Sequence, residues 1–106
     1  MNQNIDIDSE DLATVKQILN QNLPPSAEVW VFGSRAKGEA KSFSDLDLAI
    51  QAASNKNLPF ENLLNLQADF RDSDLPWKVD VVDLNTVSPE FRHIIETFKI
   101  PLDTSS

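Results

Sequence analysis

The sequence predicts an α/β chain of the α+β kind, a small β-sheet with helices packed on it, in the order α-β-α-β-α-β-α. Apolar residues recur at helical spacing in three long segments. Between them lie short runs rich in β-branched and aromatic residues, around Val29, Leu48 and Val81. Proline, glycine and Asp/Ser clusters separate the segments, as expected where regular structure must stop.

The first helix should start at the acidic signal Asp8-Ser9-Glu10-Asp11 and carry Leu12, Val15, Ile18, Leu19 and Leu23 on one side. Pro24-Pro25 ends it, since proline cannot continue a helix. Val29 to Phe32 reads as a buried strand that stops at Gly33, and Ser34 to Lys41 as a short helix interrupted at Gly38. Leu46 to Ile50 is a second strand. In it Leu46, Leu48 and Ile50 share one face, while Asp45, Asp47 and Ala49 share the other. A polar loop from Ala52 closes at Pro59, and Phe60, Leu63, Leu64, Leu66 and Phe70 mark a third helix to about Arg71. Trp77 to Leu84 is the third strand. Ser88-Pro89 opens a last helix with Phe91, Ile94, Ile95 and Phe98 as its apolar stripe, and Pro101 with the Asp-Thr-Ser-Ser end reads as a frayed tail.

At 106 residues the chain reads as one domain, residues 1–106, with its core at about 10–98. That length suggests that whatever the chain acts on is held largely by something else. The net charge of -8 argues against gripping nucleic acid through a basic surface and favours a free nucleotide with a divalent metal, or a basic protein partner. Without cysteine there are no disulfides or thiolate metal sites. No signal-like start and no run of 18 apolar residues is present, so a cytoplasmic protein with no membrane contact is expected.

The chemistry concentrates in residues 33–47, where Gly33-Ser34 is followed, ten residues on, by Asp45-x-Asp47. Carboxylates inside strands are costly to desolvate unless something balances their charge, and Mg²⁺, a hard cation with oxygen ligands, suits two acids on one strand face. Asp80, on the neighbouring strand run, should join Asp45 and Asp47. Gly33 allows close approach of a phosphate, and the backbone N–H groups of Gly33 and Ser34 with the Ser34 hydroxyl should face it. Together these parts describe nucleotidyl transfer with two metal ions flanking an in-line displacement at an α-phosphate. Asp80 would either accept the proton of the attacking hydroxyl or complete the second metal site. A chance match to this spacing in such a chain is on the order of one in a thousand.

Other residues were weighed against plainer roles. Asp83 competes with Asp80, but by parity it faces the other side of the strand, where capping the turn at Asn85 and Thr86 is its expected duty. Arg35 and Lys37 follow the Gly-Ser turn within reach of a triphosphate, or else are simply solvated. Ser44 should hold the turn into the second strand. His93 reads as a surface residue, and Trp30 and Trp77 as core or partner contacts.

Gly33, Ser34, Asp45 and Asp47, with Asp80 in Val-Asp-Val-Val, resemble the signature of the DNA polymerase β-like nucleotidyltransferase superfamily in its minimal (MNT) branch. The resemblance implies a nucleotidyltransferase fold with a mixed sheet. Small MNT proteins resemble the antitoxin half of HEPN/MNT toxin–antitoxin pairs. That implies ATP as nucleotide donor, and transfer of AMP to a tyrosine of a HEPN ribonuclease toxin. Two alternatives stay open: an antitoxin acting by complex formation alone, and nucleotidyl transfer to a small molecule such as an aminoglycoside.

Overall fold

The computed structural model describes residues 7–24, 26–37, 45–52 and 58–102. Helix α1 (Ser9–Asn22) precedes strand β1 (Glu28–Phe32), short helix α2 (Ser34–Lys37) and strand β2 (Leu46–Gln51). Then come α3 (Phe60–Arg71), β3 (Val79–Asp83), α4 (Pro89–Phe98) and a two-residue strand, β4 (Ile100–Pro101). The sheet is mixed, in the order β3-β2-β1-β4, with β2 antiparallel to β1 and parallel to β3.

The helices start and stop where local chemistry dictates. The Ser88 hydroxyl accepts the Phe91 N–H at 3.2 Å, and Pro89 at the first helical position gives up no bond that the helix would make. At the other end of the chain α1 stops before Pro24, where Leu23 turns extended with its N–H still donating to Leu19 O.

Helices α1 and α3 cover one face of the sheet. Val15, Ile18 and Leu19 from α1 and Leu66 and Phe70 from α3 meet Val29, Val31, Leu46, Leu48, Ile50 and Val81. Helix α4 covers the opposite face, where Ile95 packs with Phe32, Ala49 and Leu84. Phe91 meets the Phe32 ring edge-on, with 5.9 Å between centroids. Ala49 is therefore buried even though it shares strand parity with Asp47.

The chain's end departs from the sequence expectation. Pro101 is not in a frayed tail: it pairs with Trp30 in β4, next to Ile100 opposite Val31. The Leu102 N–H donates to Val29 O at 2.8 Å, and its side chain enters the core. That bond makes Leu102 and Val29 the hydrogen-bonded pair, so Pro101 occupies the position whose missing N–H would point away from the sheet. The observed order thus gains a terminal strand, α-β-α-β-α-β-α-β. β3 is also shorter than expected, beginning at Val79 rather than Trp77. Among the described residues no helix is long and apolar enough to cross a membrane.

Candidate active site

The site lies at the ends of three adjacent segments. β1 ends at Phe32, in register with Asp47 of β2, and Asp47 is in register with Asp80 of β3. Neighbouring strands run about 4.8 Å apart, and residues in register on them send side chains to the same face. Asp47 and Asp80 are therefore neighbours on the face that α4 leaves open. Asp45, exposed, precedes the first residue of β2.

The electrostatics bear on what this cluster would bind. The Asp47 carboxyl is held above the usual carboxylate range, first by partial burial, then by the negative charges of Asp80 and of Asp45. Two acids that raise the proton affinity of a third form a cluster whose charge a cation would balance. Among the described residues, no three acidic or imidazole groups form a ready-made metal cage. Mg²⁺ rarely uses such a cage; it binds through one or two carboxylates and completes its shell with water and substrate phosphate. The paired Asp47 and Asp80 fit that mode.

Gly33 closes the site from the β1 side. Its φ is +77°, a conformation costly for residues with a side chain, and the turn it makes lets Ala36 N–H donate to Gly33 O at 3.1 Å. A Cβ at Gly33 would run into the Asp47 carboxylate. The sequence suggested that glycine makes room for phosphate; here the space that a side chain would take is also bounded by the Asp47 carboxylate. Helix α2 begins directly after it, at Ser34.

Arg35 lies at 4% exposure with its guanidinium 4.6 Å from the centre of the Trp77 ring. Trp77 packs against the core between the sheet and helices α1 and α3. The Arg35 guanidinium is thus placed against the core side of the fold, where it anchors α2 through a cation–π contact. This contact joins residues 35 and 77, and sequence spacing carried no signal for it. The Ser34 and Lys37 side chains and all of Gly38 to Ser44 lie outside the described residues.

Asp83 and Asp80 part company as parity requires. Asp83, at 4% exposure, accepts the Leu58 N–H at 2.7 Å and the Asn85 N–H at 3.0 Å. It ties the loop before α3 to the turn after β3. Asp83→Ala should therefore cost about 1–3 kcal/mol in urea denaturation by stranding a buried N–H. Turnover per folded molecule should stay at the wild-type level, and a loss comparable to that of an Asp80 variant would contradict this assignment. His93 is exposed on α4, as expected. Trp30 is half-buried, with Lys99 Nζ 4.1 Å from its ring centre.

Comparison with known proteins gives a consistent set. Residues 13–102 match the family described as "Polymerase beta, Nucleotidyltransferase". A relative from Haemophilus influenzae, "Probable protein adenylyltransferase MntA", is 54% identical over 91 residues, which is 86% of this chain and 77% of the relative. A solved toxin–antitoxin structure with AMP-PNP superposes with a TM-score of 0.71 at 26% identity, covering 90% of this chain and 74% of that one. A mutant of the toxin–antitoxin complex MntA-HpeT matches in fold with a TM-score of 0.67 at 23% identity, again over 90% and 74% of the two chains.

Proposed function

Since the chain belongs to the polymerase beta nucleotidyltransferase family and is a nucleotidyltransferase, we propose that it transfers AMP from ATP to a tyrosine hydroxyl of a HEPN-family toxin, the tyrosine oxygen bonding to the α-phosphorus as pyrophosphate leaves, and so acts as the antitoxin of the pair. The observation that carries the chemistry is the registered pair Asp47 and Asp80, with Gly33 against the Asp47 carboxylate. Its likeness to a protein adenylyltransferase supports protein as the acceptor.

In this reading Asp45, Asp47 and Asp80 hold Mg²⁺, which when bound neutralises the triphosphate and the charge that develops during displacement. Gly33 and Ser34 orient the phosphates through their backbone N–H groups. Asp80, on the outer strand, would alternatively be the group that takes the acceptor's hydroxyl proton. Arg35 acts as a positioning residue, since its contact with Trp77 fixes the helix that follows the Gly33 turn. In the same reading the reaction takes place in the cytoplasm.

Incubation with labelled ATP, Mg²⁺ and the product of the adjacent gene tests the proposal. Wild type should label that protein, and Asp47→Ala should not. Equal absence of label in both would overturn it. If an Asp45→Ala, Asp47→Ala double variant still protects cells from the toxin, complex formation alone accounts for neutralisation.

A further inference from the structure

We propose that the acceptor is presented as an extended segment that pairs with the outer edge of β3, placing its hydroxyl-bearing side chain beside Asp80; this rests on the reading of the chain as a protein-modifying transferase.

The outward edge follows from two hydrogen bonds. Leu46 N–H donates to Lys78 O at 2.9 Å, and Leu84 N–H to Ile50 O at 2.8 Å, so the even-numbered residues of β3 turn their backbone groups toward β2. Val79, Val81 and Asp83 consequently turn theirs away from the sheet. Among the described residues β3 is an edge strand. The Asp83 carbonyl is already occupied by the N–H and hydroxyl of Thr86. The N–H and C=O of Val79 and Val81 meet no backbone partner among the described residues. Unpaired edges of this kind are templates for an added strand.

The edge opens into a groove of about 620 Å³, walled by Phe70 and Arg71 of α3 and by Trp77, with Lys78 and Asp80 along its β3 side. That volume is large enough to take side chains of an added strand. Of the two cations on its rim, Arg71 already meets Asp72 at 3.6 Å, which leaves Lys78 to face an acidic residue of the segment.

Sheet geometry then aims the acceptor. In an antiparallel partner bonded at Val79 and Val81, the residue opposite Asp80 occupies the closer, non-hydrogen-bonded pair. Its side chain emerges on the same face as the Asp80 carboxylate, about 5 Å away between Cβ atoms. A hydroxyl there adjoins Asp80 and, across one strand, Asp47. Selection by backbone pairing also explains how a site with few side-chain contacts would single out one hydroxyl on a protein surface.

Val79→Pro removes one outward N–H and no bond to β2, and proline is accepted at the first residue of an edge strand. With the adjacent gene's product as acceptor, KM for that protein should rise about three- to tenfold, the loss of one backbone hydrogen bond. The Kd for ATP should not move, and Val79→Thr, which keeps the N–H, should behave as wild type. Independently of any variant, amide exchange at Val79 and Val81 should slow when the two proteins form their complex. If label is transferred while these amides exchange as in the free chain, and Val79→Pro leaves KM unchanged, the edge pairing is wrong and the transferase reading stands. If no transfer and no complex occur, both fall.

Discussion

Replacing Asp47 by Asn is expected to lower AMP transfer by about 10³-fold or more, and at the same time to make the isolated chain more resistant to heat. The two effects have one cause. Asp47 is the middle acid of three, with Asp80 in register on the next strand and Asp45 two residues before it. Asn keeps the shape that fits against Gly33 but removes the charge through which a cation would be held. The loss of activity follows from the size of electrostatic contributions at such centres.

The gain in stability follows from the direction of the Asp47 shift. A carboxyl whose pKa in the folded chain is raised above its ordinary value of 3.8 binds its proton more tightly folded than unfolded. Folding is then opposed increasingly as pH rises from 3.8 through that raised value, fully above it, and not at all well below 3.8. Asp47→Asn should therefore raise Tm at pH 7 in chelator, and the difference should close as pH falls into the carboxylate range. Adding Mg²⁺ and ATP should raise the Tm of wild type far more than that of the variant. A variant less stable than wild type at pH 7 in chelator would mean that Asp47 holds the fold together rather than holding a ligand.

Parity made much of this site legible. The alternation of Leu46, Asp47, Leu48 and of Val79, Asp80, Val81 is enough to put Asp47 and Asp80 on one face and Asp83 on the other, because strand side chains alternate regardless of what surrounds them. Local rules stopped working where distant segments decide the outcome. Ala49 has the parity of an open-face residue, yet α4 buries it, and only the path of the chain after β3 brings α4 there. Pro101 carried a strong breaker signal, but at the sheet's edge a missing N–H costs no ladder bond, and Ile100 and Leu102 on either side were the apolar pattern that marked a strand. Arg35 follows the Gly-Ser turn, and nothing in that spacing marks Trp77, 42 positions away by the two residue numbers, as the ring its guanidinium lies against. Gly33 was recognisable as a required glycine, whereas the group that requires it was not, since Asp47 reaches it only through the antiparallel pairing of β1 with β2.

That last contact makes Gly33→Ala the second large effect to expect: transfer reduced about 100-fold, with a stability loss greater than the backbone alone explains. At φ +77° an alanine costs about 1–2 kcal/mol before any collision. The added Cβ also meets the Asp47 carboxylate, which must swing away from Asp80 or push the turn outward. A displacement of about 1 Å at a reacting centre is enough for a 100-fold loss. The two contributions separate in a double-mutant cycle. Asp47→Ala removes the carboxylate and leaves only a Cβ at ordinary contact distance, 3.5 Å, so Gly33→Ala made in that background should show the backbone penalty alone. Urea denaturation of the four proteins measures the difference. An equal penalty in both backgrounds would show that the carboxylate yields freely and that Gly33 is kept for its dihedral angle only. A larger penalty beside Asp47 would show that the glycine sets where the central carboxylate stands. Gly33, one residue past the Phe32 that pairs with Asp47, then fixes the position of the acid as firmly as the register with Asp80 does.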